Sequence, residues 1–204
     1  MTYPSRIREL IEALRTLPGI GPRQASRIAY AILEKDTEFT SRLASTLVAL
    51  KGETSLCASC FRSIEPHTSG RCDICRSGSR ESAHIMVVEK DSDLEAFEST
   101  GVFSGVYHVL GGGISALDKT SSERLRLKEL FERVKRLVSE NSTKVEITVA
   151  TSNTLEGNQT ATYIERILEP TRASVTRLGR GLATGLEIEY ADPLTLAEAL
   201  KNRK

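Results

Sequence analysis

Tryptophan is absent from the chain, and only five tyrosines and five phenylalanines stand among its 204 residues. Platforms on which single-stranded bases could stack are therefore not evident. No run approaches the eighteen or so apolar residues that a membrane-spanning helix needs. The opening MTYPSRIRELIEAL has no apolar stretch followed by small cleavage-site residues, so nothing points to secretion and a cytoplasmic location is expected. Charge of one sign is lacking too, because 28 Lys and Arg nearly cancel 27 Asp and Glu. That balance is uneven along the chain: residues 1–52 hold eight basic and five acidic residues, and residues 85–150 hold nine and eleven. The local excess is a mild pointer towards a polyanion near the N-terminus.

That basic stretch carries LPGIGPRQASR at positions 17–27. Apolar spacing at Ile7, Leu10, Ile11 and Leu14 predicts a helix over 4–15, and Pro22 suits the first position of a second helix through Leu33. A third helix is expected from Phe39 to Leu50. Gly19 and Gly21 between the first two helices permit positive φ and close approach of another backbone. The unpaired amides of the following helix then form an anion site, with Arg23 and Arg27 four residues apart on one face. A tight helix–helix connection that needs glycine for packing alone is the competing reading; Pro22 and the arginines favour phosphate binding. Such contacts read no base identity and weaken with salt, and useful affinity requires several copies of the turn.

All four cysteines fall in two C-x2-C pairs, Cys57 and Cys60 in CASC, Cys72 and Cys75 in CDIC. This spacing predicts one structural Zn2+ per chain, held by four thiolates with no open position for catalysis. Disulfides do not suit a cytoplasmic chain, and a redox pair needs no second copy. His67 lies between the pairs as a spare ligand and is expected at the surface. Residues 53–84 have too few apolar side chains to fold by burial, so the metal is expected to supply folding free energy. Arg62, Arg71, Arg76 and Arg80 around the cysteines are expected to face solvent.

From residue 85 strands and helices alternate. Strands are predicted at 85–88, 106–110 and 145–150, helices at 123–138 and 158–168, and short β stretches near 174–178 and 186–190. The pattern implies a mostly parallel sheet with helices on both faces. Glu89 ends the first of these strands, where ligands of open α/β sheets collect. A phosphodiester-cleaving metal site needs several converging carboxylates, whereas the loop after the third strand offers Asn153 and Glu156 rather than paired aspartates. Asp91 and Asp93 suit helix capping. A two-carboxylate Mg2+ site at Glu89 and Glu156 stays open, with hydrolysis disfavoured. Gly111-Gly112-Gly113 lacks the Lys-Ser/Thr of a phosphate loop and reads as a tight turn; His84 and His108 read as core or surface residues.

LPGIGPRQASRIA, CASC…CDIC, VVEKDSDLEAFE, YHVLGGGIS, TLEGNQTATYI and TRLGRGLATGLEIEYAD occur in that order. Over nearly the whole chain this resembles the RecR family of bacterial recombination mediators. The resemblance implies four parts: a helix-hairpin-helix DNA-binding domain over 1–53, a four-cysteine zinc finger over 54–79, a non-catalytic Toprim-like α/β domain over 80–173, and a C-terminal Walker B-like β/α tail over 174–204 that helps hold subunits together. It implies a dimer-to-tetramer ring able to encircle DNA, nucleoid-associated, acting with RecO and RecF to load RecA on SSB-coated single strands at gaps. By position, Gly19, Gly21, Arg23 and Arg27 would meet DNA, including duplex and single-strand/double-strand junctions. Glu89 and Glu156 would lie on an acidic partner-docking surface. Arg23 stands where the family often has lysine, GNQTA replaces a GEATA-like run, and ISALDKTSSERL and TRLGRGLATG depart from ISPLDGIGPEDL-like and TRIARGLPVG-like sequences. The competing functions are a Toprim-type metal-dependent nuclease or strand-processing enzyme, and a zinc scaffold without a DNA role.

Overall fold

Helix α1 (Ser5–Arg15) turns its apolar stripe of Ile7, Leu10, Ile11 and Leu14 onto Ala25 and Ala29 of α2 (Pro22–Leu33), with Ile20 closing the end. The two alanines are essentially inaccessible, and their short side chains let the helices approach closely. Asp36 starts α3 (Thr37–Gly52) by accepting the Phe39 amide at 2.7 Å. None of the described residues of α3 is buried. The computed structural model describes residues 4–66, 69–115, 120–140 and 144–203. These helices form one compact unit, Met1–Thr54; Ser55–Lys204 form the other.

The second unit begins with a small antiparallel hairpin, β1 (Ser55–Leu56) and β2 (Ser63–Ile64), and one turn of helix, α4 (Asp73–Arg76). There follow β3 (Glu81–Val88), α5 (Asp91–Glu98), β4 (Gly105–Val109), α6 (Ser121–Arg124), α7 (Leu127–Glu140), β5 (Glu146–Ala150), α8 (Leu155–Leu168), β6 (Ser174–Arg177) and α9 (Pro193–Lys201). The sheet is parallel throughout, in the order β4-β3-β5-β6.

Its side chains alternate as the pleat requires. Ile85, Val87, Val106, Ile147 and Val149 face α7 and α8, whose Leu130, Val134, Ile164 and Leu168 are fully buried. Burial of each of these helix side chains contributes about 1.5–3 kcal/mol. Met86, Val88, Tyr107 and Val109 face the other way, onto Leu94 of α5 and onto Cys57, Cys60, Cys72 and Ile74. The sheet grows outward from β3 to β4, then reverses to β5 and β6. With a constant hand of crossover, that reversal places α5 on the opposite face from α7 and α8.

Several elements differ from the sequence expectation. β3 starts at Glu81, four residues earlier than its apolar run. The helix expected over 123–138 is divided, because Leu125 is extended (ψ 147°) and the Arg126 amide turns to the Leu110 carbonyl at 3.1 Å. Residues 186–190 are not a strand: Ile188–Tyr190 form one turn of 3-10 helix, with the Ala191 amide closing on Ile188. No helix among the described residues is long and apolar enough to cross a membrane.

Candidate nucleic-acid interface and metal centre

In the first unit, Gly19 has φ +79°, a conformation that disfavours any side chain, and this turns the chain back from α1. Gly21 is the extended N-cap of α2 and accepts the Ala25 amide at 2.9 Å, but no side chain caps the helix. The Arg23 and Gln24 amides find no acceptor among the described residues, and no acidic residue occupies the first turn. The positive end of α2 therefore stays unneutralised and open to solvent. Arg23 and Arg27 are exposed beside it, and neither forms an ion pair among the described residues. Amides and guanidinium groups placed this way suit an oxyanion.

In the second unit, the sulfur atoms of Cys57, Cys60, Cys72 and Cys75 all lie within 4.8 Å of one another. Two short turns bring them there: the Phe61 amide returns to Cys57 at 2.9 Å, and the Arg76 amide to Cys72 at 3.1 Å. Cys57 and Cys72 also accept amides at sulfur, from Cys72 at 3.3 Å and Cys75 at 3.4 Å. Cys60 and Cys72 are 3.6 Å apart, sulfur to sulfur, within hydrogen-bond reach of each other. That bond holds the Cys72 thiol well below its ordinary pKa and Cys60 well above it. Four thiolates on a tetrahedral ion with bonds of about 2.3 Å sit about 3.8 Å apart, so the cluster fits such an ion with little movement. These cysteines are the one group of three or more metal-ligating side chains among the described residues. His67 lies outside the described residues.

The arginines around the cluster depart from the solvated role expected of them. Arg62 pairs with Glu95, and Arg80 forks onto Glu98 at 2.6 and 2.9 Å while also donating to the Phe103 and Gly105 carbonyls. The Ser63 amide and hydroxyl donate to Asp91, the hydroxyl at 2.6 Å. The finger is thus fastened to α5. Arg76 makes only a local pair with Asp73, and Arg71 is exposed. A sequence pattern of i, i+3 or i, i+4 partners cannot reveal pairs 33 or 18 residues apart.

At the carboxyl edge of the sheet, Glu89 is only 7% exposed and accepts the Ser152 amide at 3.1 Å and its hydroxyl at 2.8 Å. The bond spans β3 and β5, where the strand order reverses. Gly157 supports that loop: a Cβ there would lie 1.9 Å from the Ser152 carbonyl oxygen. Glu156 is exposed and accepts the Ser115 hydroxyl at 2.8 Å. Asp93 accepts the Lys90 amide at 3.0 Å, as expected of a cap, and Asp91 is taken by the finger. His84 bonds Thr148 at 3.0 Å, and His108 is fully buried. Of the ISALDKTSSERL loop, residues 116–119 lie outside the described set.

Residues 7–51 match the family described as RecR, helix-hairpin-helix; residues 83–179 match the Toprim domain; residues 181–204 match RecR, C-terminal. The four cysteines fall between the first two matches. Over 99% of this chain and 98% of theirs, proteins named Recombination protein RecR are 42% identical in Clavibacter michiganensis subsp. michiganensis and 42% identical in Thermobifida fusca. The protein of that name in Streptomyces coelicolor is 39% identical over the same shares.

Proposed function

This chain belongs to the RecR family of recombination proteins, and from that premise we propose that it is a DNA-binding recombination mediator that acts without turnover. Membership supports a role in DNA recombination and repair. The observation that carries the reading further is the uncapped start of α2 with Arg23 and Arg27 exposed beside it. Amides there, with Gly19 and Gly21 shaping the turn, grip phosphates irrespective of base.

One turn supplies few contacts, so copies assemble into a dimer-to-tetramer ring around duplex or junction DNA. Acting with RecO and RecF, the ring promotes RecA loading on SSB-coated single strands. We assign four parts: 1–53 for DNA, 54–79 for the finger, 80–173 for the Toprim-like body and 174–204 for the tail. Cys57, Cys60, Cys72 and Cys75 hold one Zn2+, chosen for its preference for four thiolates. The metal braces the finger; the protein's own contribution is the fastening through Asp91, Glu95 and Glu98. Glu156 offers an exposed carboxylate for a partner, while Glu89 is engaged with Ser152 and orders the loop.

The test is duplex binding by fluorescence anisotropy across a salt series, for the parent and the Arg23→Ala/Arg27→Ala variant. Binding should weaken alike on unrelated sequences, and the log–log salt slope should flatten by about 0.9 for each lost phosphate contact. Unchanged affinity and slope would replace this reading with a scaffold that has no DNA role.

A further inference from the structure

The segment TRLGRGL, at 176–182, lies in the stretch assigned above to the tail, and no ligand has been given to it. The Leu178 amide still reaches the Val149 carbonyl at 3.4 Å, and the chain then leaves the sheet through Gly179, Arg180 and Gly181. With Val149, Thr151, Asn153 and Ala161 these residues and Arg177 line a cavity of about 360 Å³. It lies at the carboxyl ends of β5 and β6, the edge of a parallel sheet where ligands collect. Its size is that of a small-molecule site.

No carboxylate lines it, and its two charged residues are both arginines. Arg177 is fixed by a fork onto Glu165, both bonds 2.6 Å, with Thr162 accepting a third at 3.0 Å. Arg180 differs. Its guanidinium donates to the neutral amide oxygen of Asn158 and forms no ion pair among the described residues. Glu198 feels its charge but is paired with Lys201 at 3.0 Å. Four of the five donors on Arg180 thus remain for a ligand.

The flanking glycines add an independent observation. A Cβ on Gly179 or Gly181 would meet nothing within 4 Å, and neither residue has a left-handed φ. The fold therefore requires glycine at neither position. Their effect is to keep side chains away from the amides of 179–181, which have no acceptor among the described residues, while the Arg180 carbonyl accepts the Asn202 side chain at 2.9 Å. The Asn153 side chain, exposed at the rim, has no partner among them either.

We propose that this pocket binds an organic phosphate of mononucleotide size, its oxygens taken by Arg180, the amides of 179–181 and Asn153. Arg–phosphate forks and glycine amides are complementary to a phosphate's planar and tetrahedral acceptor faces. The phosphate belongs either to a free nucleotide or to the end of a polynucleotide. The inference stands apart from the α2 site, which lies in the other unit.

The experiment titrates metal-loaded full chain carrying Arg23→Ala/Arg27→Ala, so that the first unit contributes little, with AMP and separately with a 5′-phosphorylated oligonucleotide. Calorimetry should give saturable binding of one probe, weakened at least tenfold by Arg180→Gln. Gly181→Val should also weaken it while leaving the melting temperature unchanged, since the fold has room for the side chain. AMP binding with no competition from the oligonucleotide identifies a free nucleotide; Arg180-dependent binding of the oligonucleotide alone, lost without its 5′-phosphate, identifies a strand end. Absence of saturable binding for both probes, or binding indifferent to Arg180→Gln, overturns the site.

Discussion

The Val109 amide donates to the Cys60 carbonyl at 2.8 Å, so the outer strand of the sheet is bonded to a residue of the metal cluster. β4 has β3 on one side only. Its outward carbonyls are covered by three arginines: Gly105 by Arg80 at 3.3 Å, Tyr107 by Arg133 at 2.6 Å, and Val109 by Arg126 at 3.4 Å. Phe61, a non-glycine residue with φ +64°, packs edge-on against His108 and under the Arg126 guanidinium. Finger and cations together cover an edge that would otherwise pair with another chain.

Metal removal should therefore act on the sheet and not only on the finger. With a chelator, or in Cys60→Ser, amide exchange across 107–110 should accelerate and light scattering should rise, while exchange in α8 stays slow. Unaltered protection at Val109 would show that the edge does not depend on the metal.

Replacing Arg133 by Met removes the partner of the Tyr107 carbonyl. Burial already depresses the pKa of this arginine, against the attraction of Cys75, Cys60 and Cys57. The expected loss is about 1–3 kcal/mol, read from the urea midpoint. Because the thiolate cluster also loses a nearby cation, metal affinity measured by chelator competition should fall as well.

His108 makes stability depend on pH. Its Nε2 donates to the Arg126 carbonyl at 2.9 Å, its Nδ1 has no partner among the described residues, and burial pushes its pKa down from 6.5 to about 3. Between those values the unfolded chain binds the proton and the folded chain does not. Stability contributed by the neutral ring is thus complete above about pH 6.5 and declines as pH falls towards 3. Acid titration of His108→Gln, which keeps a donor for Arg126, should lack this component; a profile identical to the parent's would contradict it.

Gly157→Ala should cost about 1–3 kcal/mol, since the new methyl must displace the Ser152 carbonyl and with it the bonds to Glu89. Thermal melts test this directly. Gly21→Ala, where a Cβ meets nothing within 4 Å, serves as the tolerant comparison.

Features set by neighbours in the chain were legible in the sequence: Pro22 opening α2, the capping by Asp93, the paired cysteines and the apolar cores of β3, β4 and β5. Those set by distant partners were not. The first half of β3 lacks an apolar run, yet extends because the Glu81 amide bonds the Ser104 carbonyl at 3.0 Å and His84 pairs with Glu146. The break at Leu125 depends on Leu110, and the roles of Arg62 and Arg80 depend on α5. The β-rich composition of LEIEY suits a strand, but among the described residues no strand pairs with it.

The sheet's opposite margin is left unsealed. The Ser174 and Leu178 amides turn inward to β5, so alternation directs the backbone of Val175 and Arg177 outward, where the described residues provide no partner. A ribbon with one closed and one open border admits a single neighbour along its length. Of the sheet's two borders, the finger and three arginines close the one along β4, and the one along β6 keeps its backbone groups free among the described residues.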